Sequence, residues 1–165
     1  MIQNFILITN DFLNKTQIKF IFYVPGDEND YVAFTARASE GRYYEEHDIV
    51  LFDSVITNTG NHYSGVTSTF VCPFDGVFSF SVSFYAGYYG NLNLGIMKDD
   101  ELIISGYADY ISTEPFLNTH GMSTFVIECN AGQLVWARCA ANGDYMYGSS
   151  TIQSHFTGFA LQRFS

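Results

Sequence analysis

Residues 70–87, FVCPFDGVFSFSVSFYAG, set six aromatic rings around a single Pro-Phe-Asp-Gly turn. From Val77 onward neighbouring positions differ in kind. Phe78, Phe80, Val82 and Phe84 fall on one side of an extended chain, and Ser79, Ser81 and Ser83 fall on the other. A helix would scatter these rings around its axis, whereas a strand presents them together. The stretch therefore predicts a strand with one face in a core. Pro73 fixes its own φ and carries no amide hydrogen, and Gly76 tolerates positive φ, so Pro73 to Gly76 is expected to reverse the chain between two strands.

The same grammar extends through the chain from Tyr31. Phe125 to Cys129, the turn Asn130 to Gln133, and Leu134 to Cys139 read as a hairpin, and His155 to Gln162 reads as a closing strand. Glu40 to Asp48 is polar and reads as a loop. No helical periodicity of comparable length competes. Short alternating runs separated by Gly, Asn, Asp and Ser predict an all-β protein, a jelly-roll β-sandwich of antiparallel strands rather than a βαβ architecture. Residues 1–30 differ. Their apolar runs break at Pro25-Gly26-Asp27, so they read as an appended N-terminal segment, with residues 31–165 as the main domain.

Composition narrows the function. Seven basic residues against 17 acidic ones give a net charge of -10, the wrong sign for holding a phosphate backbone, so nucleic acid is not an expected partner. Aromatic residues (18%) outnumber charged ones (15%), which excludes a disordered chain. The start has no early positive charge and no small-residue cleavage site, so it does not fit a secretory signal, and no segment is long enough to span a bilayer. Asn14-Lys15-Thr16 fits a glycosylation acceptor.

Chemistry of the common catalytic kinds is not indicated. His47, His62, His120 and His155 stand singly, without metal-ligand spacing. Ser154 and His155 are adjacent on a strand and so face opposite ways, which rules out a triad built on that pair. Asp99-Asp100-Glu101 reads as a solvated hairpin tip. Three cysteines, Cys72, Cys129 and Cys139, lack zinc spacing and read as buried thiols, since Cys129 and Cys139 do not fall opposite one another across their turn. No enzyme is expected.

Five blocks in order carry a family resemblance. Val32-Ala33-Phe34-Thr35-Ala36 opens it, and Phe52-Asp53-Ser54-Val55 with Asn58-Thr59-Gly60-Asn61-His62-Tyr63 continues it. Phe70-Val71-Cys72-Pro73 with Gly76-Val77-Phe78-Ser79-Phe80 forms the third block, Gly132-Gln133-Leu134-Val135-Trp136 the fourth, and Ser154-His155-Phe156-Thr157-Gly158-Phe159 the fifth. Together they resemble the globular C1q domain of the TNF-like jelly rolls. Gln133 stands where that family carries aspartate, Ser68 where it carries glycine, and Cys129 where it carries a core leucine. With no Gly-X-Y run, the chain looks more like the stalkless soluble C1q-domain proteins of invertebrate immunity.

The resemblance implies a secreted, extracellular, non-enzymatic homotrimer that recognises carbohydrate, lipopolysaccharide or a protein surface. A cytokine-like or structural trimer engaging a receptor or matrix protein is the alternative. Loop rings at Tyr88, Tyr89, Tyr110, Tyr145 and Tyr147 are candidates to stack on sugars. The resemblance also implies a calcium site with Asp109 as one ligand; Leu117 falls at the second position, leaving Asn118 beside it as the available oxygen donor.

Overall fold

The computed structural model describes residues 6–10, 16–20, 31–87, 92–108, 119–141, 144–149, 151 and 153–165. The chain divides into two compact units, residues 1–30 and 31–165. In the first, β1 (Ile6–Asn10) and β2 (Thr16–Phe20) pair antiparallel, from Ile6 opposite Phe20 to Asn10 opposite Thr16.

The second unit is an antiparallel β-sandwich. One sheet holds seven strands: β3 (Ala33–Arg37), β4 (Arg42–Tyr44), β5 (Ser54–Thr59), β8 (Gly76–Ala86), β11 (Thr119–Cys129), β13 (Asp144–Met146) and β14 (His155–Arg163). The other holds five: β6 (Tyr63–Ser64), β7 (Thr69–Val71), β9 (Leu92–Lys98), β10 (Glu101–Ala108) and β12 (Leu134–Cys139). β8 is the long central strand, flanked by β11 along one edge and β14 along the other. Its rings behave as their spacing predicts: Phe78, Phe80 and Phe84 are buried in the layer between the sheets.

Those rings meet partners from the opposite sheet. Phe34 on β3 stacks on Tyr63 of β6 with centroids 4.3 Å apart and planes 7° from parallel, and Phe70 on β7 lies 5.2 Å from Phe34 and 5.4 Å from Phe80. Phe156 on β14 meets Phe34 edge-on at 5.0 Å. Gly158, opposite both Phe34 and Phe80 in the ladder, makes room for them. A Cβ there would come within 2.5 Å of both rings. The Tyr63 hydroxyl donates to the Phe52 carbonyl at 2.9 Å, so its polar end is satisfied, and burial pushes the phenol well above its ordinary range.

Both expected turns join strands of different sheets. β7 and β8, joined by Pro73 to Asp75, lie in different sheets, and so do β11 and β12, joined by Asn130 to Gln133. The expected hairpin at Asn130 to Gln133 is therefore a crossing between layers. The reason is burial: Phe125, Ile127 and Cys129 on one strand and Val135, Ala137 and Cys139 on the next all turn toward one core, which forces their strands onto opposite sides of it. Gly76 does not take positive φ, which among the described glycines occurs at Gly60 (83°) and Gly132 (87°). It is needed because a Cβ would run into the Gln162 carbonyl. The segment read as a loop at Glu40 to Asp48 contains β4, anchored by the buried Tyr44 ring.

The three departures from the family pattern are accommodated. Ser68 keeps a left-handed φ of 52°, and its buried hydroxyl accepts the Phe52 N–H at 2.8 Å. Gln133 accepts the Asn130 N–H through Oε1 at 2.9 Å and donates through Nε2 to Asp99 at 2.9 Å. Asp99 is thus more than a solvated tip: at φ 50° in the β9–β10 turn, its carboxylate also takes the Leu134 N–H at 2.9 Å. Cys129 fills its leucine-like position at 1% exposure.

Gly158→Ala should destabilise the domain by about 1–3 kcal/mol through overpacking against Phe34 and Phe80, read as a lower urea midpoint with an unchanged slope. Ser68→Ala should cost roughly 1–3 kcal/mol, because the strained φ remains while the Phe52 N–H loses its acceptor. Ser68→Gly, which relieves the strain, should cost less in the same measurement.

Candidate functional site: a tyrosine edge and an apolar face

Beyond the end of β8 the chain builds an exposed aromatic edge. β13 pairs with β4 so that Tyr145 stands opposite Tyr43, and Met146 stands opposite Ala86 of β8. Alternation then sorts the side chains: Met146 is fully buried, while Tyr145 and Tyr147 are half-buried and Tyr43 is 75% exposed. The three rings form one cluster. Tyr43 meets Tyr145 edge-on at 4.7 Å, and Tyr145 meets Tyr147 edge-on at 5.2 Å.

Backbone contacts hold this cluster to the core. Gly87 N–H donates to the Tyr145 carbonyl at 2.8 Å, and Tyr147 N–H donates to the Tyr85 carbonyl at 2.9 Å. Ser154 is fully buried; its hydroxyl accepts the Tyr85 N–H at 3.1 Å and donates to the Tyr147 carbonyl at 2.6 Å. That hydroxyl is a strut beneath the tyrosines, which gives it a structural role in place of a nucleophilic one. The Tyr145 ring lies across two glycines, since a Cβ at Gly41 or at Gly87 would collide with it.

Charge beside the rings is ordered too. Arg42 pairs with Glu40 at 2.7 Å and reaches toward Asp53 at 3.9 Å. Partial burial alone would raise the Asp53 carboxyl, but hydrogen bonds from the Ser39 hydroxyl (2.7 Å) and N–H (2.9 Å) outweigh it and hold the group below the usual carboxylate range. Partial burial, followed by the proximity of Tyr147, Tyr43 and Glu40, raises the Tyr145 phenol above its ordinary value, so it stays protonated as a donor. The edge thus offers ring faces, hydroxyls, a carboxylate and a guanidinium within one surface.

A second surface lies on the outer side of the seven-stranded sheet. Val126 of β11, Ser79 of β8 and Phe159 of β14 form one cross-strand row, with Met122 opposite Ser83 in another. Val126 (57%), Phe159 (43%), Leu161 (54%) and Met122 (64%) stand exposed around the small β8 serines. Polar pairs order the rest of this face: Ser83 with His120 at 2.7 Å, Thr124 with Ser81 at 3.0 Å and Thr35 with Thr157 at 3.1 Å.

Of the residues singled out from sequence, Tyr145 and Tyr147 come together. Tyr88, Tyr89, Tyr110, Asp109 and Asn118 lie outside the described residues. Sequence reasoning misses Tyr43; the signal for it is its place beside Tyr44, one ring out and one in. Among the described residues no three His, Cys, Asp or Glu side chains converge as metal ligands, and no helix is long and apolar enough to cross a membrane.

Comparison with known proteins fits this architecture. Complement C1q tumor necrosis factor-related protein 5 of Homo sapiens is 31% identical over 132 residues, covering 78% of this chain and 53% of that protein. One of the subunits of the Homo sapiens complement C1q subcomponent is 27% identical over 132 residues, covering 79% of this chain and 50% of that protein. The chain thus spans about half the length of the curated relatives it matches. Among solved structures, the globular domain of zebrafish complement 1qA superposes with a TM-score of 0.64 at 20% identity, over 81% of this chain and 99% of that one. Eiger TNF from S. frugiperda superposes with 0.67 at 12% identity, over 82% and 96% respectively. Residues 33–161 match the C1q domain family along nearly the whole sandwich, and the chain belongs to that family.

Proposed function

We propose that this protein is a secreted homotrimeric recognition module, without enzymatic activity, that binds neutral saccharide through the edge formed by Tyr43, Tyr145 and Tyr147. The observation that carries the reading is the cluster itself: three half-buried or exposed rings, fixed by β4 and β13, beside Glu40 and Arg42. A sugar ring presents an apolar face that packs on an aromatic ring and hydroxyls that pair with phenol, carboxylate and guanidinium. The net charge of -10 favours neutral glycans over anionic ones such as the phosphate-bearing part of a lipopolysaccharide.

The outer face supplies the assembly. Val126, Phe159 and Leu161 expose apolar surface around small serines, as a face does that meets other copies. Three weak saccharide sites on one body then gain affinity through high effective concentration. The alternative, a trimer that engages a receptor, draws on the separate exposed apolar side chains of Val55, Ile56 and Val66. Calcium at Asp109 and Asn118 belongs to the proposal as a support for the loops.

A glycan array probed with and without a chelator tests the reading. Neutral saccharides should give signal. Tyr43→Ala and Tyr147→Ala should each lower it at least about tenfold, the scale of one lost ring contact, while the domain stays folded by far-ultraviolet circular dichroism. Loss of signal with chelator would show that the saccharide signal depends on calcium, and silence on all saccharides would favour the receptor reading. Gly87→Ala should displace the Tyr145 ring, changing the tyrosine near-ultraviolet circular dichroism and weakening the same signal.

A further inference from the structure

The aromatic edge does not stop at Tyr147. The Tyr147 N–H that donates to the Tyr85 carbonyl sets these two residues opposite one another, continuing the pairing of Met146 with Ala86. Phe84 and Ala86 on either side of Tyr85 are fully buried, and so is Met146 before Tyr147, so alternation turns both tyrosines to the outer side of the seven-stranded sheet. Both are half-buried there. On the far side of Tyr85, His120 of β11 stands opposite it in the ladder and exposed, with ring centroids 4.6 Å apart and planes 36° from parallel.

Four neighbouring strands therefore contribute to one row of rings: Tyr43 from β4, Tyr145 and Tyr147 from β13 and its end, Tyr85 from β8 and His120 from β11. Three strand spacings separate its ends, roughly 14 Å, which is longer than one sugar ring. The inner part of the row is held in place. The Ser154 hydroxyl binds the Tyr85 N–H and the Tyr147 carbonyl together, and His120 Nε2 lies 2.7 Å from the buried Ser83 hydroxyl.

We propose that this row is one extended subsite for a linear neutral oligosaccharide, laid across β4, β13, β8 and β11, with Tyr85 and His120 as binding residues beyond the tyrosine edge. The inference rests on the saccharide reading of that edge. A flat sheet face that carries successive rings matches a chain whose sugars each present an apolar face. The next residues along β8 and β11, Ser83 and Met122, are uncharged, which suits a neutral chain. The apolar surface assigned to assembly lies elsewhere on the same face. Along β8, Ser79 stands roughly 20 Å from Tyr85. Between them runs a row of hydroxyls, Thr124 on Ser81 at 3.0 Å and Thr35 with Thr157 at 3.1 Å. Copies that meet through Val126, Phe159 and Leu161 leave the rings at the other end of the face to the ligand.

Ligand-observed NMR titration of the full chain with β-1,4-linked glucose and mannose oligomers of one to five units is the test. Affinity should rise by about tenfold from one unit to four and then level off as the row is covered. Tyr85→Leu and His120→Ala should each lower the affinity for four units by about three- to tenfold and leave single-sugar binding unchanged, whereas Tyr43→Ala should weaken every length. Should Tyr85→Leu fail to fold by far-ultraviolet circular dichroism, His120→Ala, at an exposed position, still decides. Equal affinity at every length, with Tyr43→Ala still weakening it, would overturn the extended row and leave the tyrosine edge standing. Equal losses at all lengths in Tyr85→Leu and His120→Ala would make both residues supports of the edge and overturn their role as binding residues. No binding at any length would overturn the row and the saccharide reading together.

Discussion

The domain depends on one close packing: the Phe34 and Tyr63 rings lying face to face at 4.3 Å across the gap between sheets. Phe34 belongs to the seven-stranded sheet and Tyr63 to the five-stranded one, so this stack ties the two layers together. Phe70, Phe80 and Phe156 close around it, and Gly158 lets Phe34 and Phe80 settle against the backbone. Each such ring pair contributes about 0.5–1.5 kcal/mol beyond the burial of its area, and several share the same rings. The Tyr63 hydroxyl, tied to the Phe52 carbonyl, fixes the stack in register with the segment that leads to β5.

What the core fixes on one side of each strand it leaves open on the other. β8 turns phenylalanines inward and serines outward, and on that outer face Val126, Phe159 and Leu161 stand exposed beside the small serines. The alternation that buries Met146 likewise projects Tyr145 and Tyr147 toward Tyr43. Both surfaces are therefore products of the same period of two. The buried Ser154 hydroxyl joins them to the core by holding the end of β8 and the residue after β13 at once.

Much of this is legible in residues 70–87, because a strand's alternation is local and its buried face follows from it. The direction of each turn is not. A hairpin and a crossing between sheets both call for a tight four-residue reversal, and only the placement of the next strand across the core tells them apart, as at Asn130 to Gln133. Gly76 shows the same limit: its need is set by the Gln162 carbonyl, far along the chain. Tyr43 sits in a polar segment whose strand character rests on one buried ring, Tyr44, and on a partner strand near the other end of the chain. The family blocks, by contrast, fall where the fold makes local demands: Gly132 at positive φ, and the inward rings of β8 and β14.

Native mass spectrometry of the unmodified chain, diluted to submicromolar concentration, tests most directly whether the core's outward serine face exists to be covered. The account predicts a species of three copies that persists on dilution. A population of single chains across that range would contradict it, and would leave the exposed Val126, Phe159 and Leu161 without the partner their chemistry calls for.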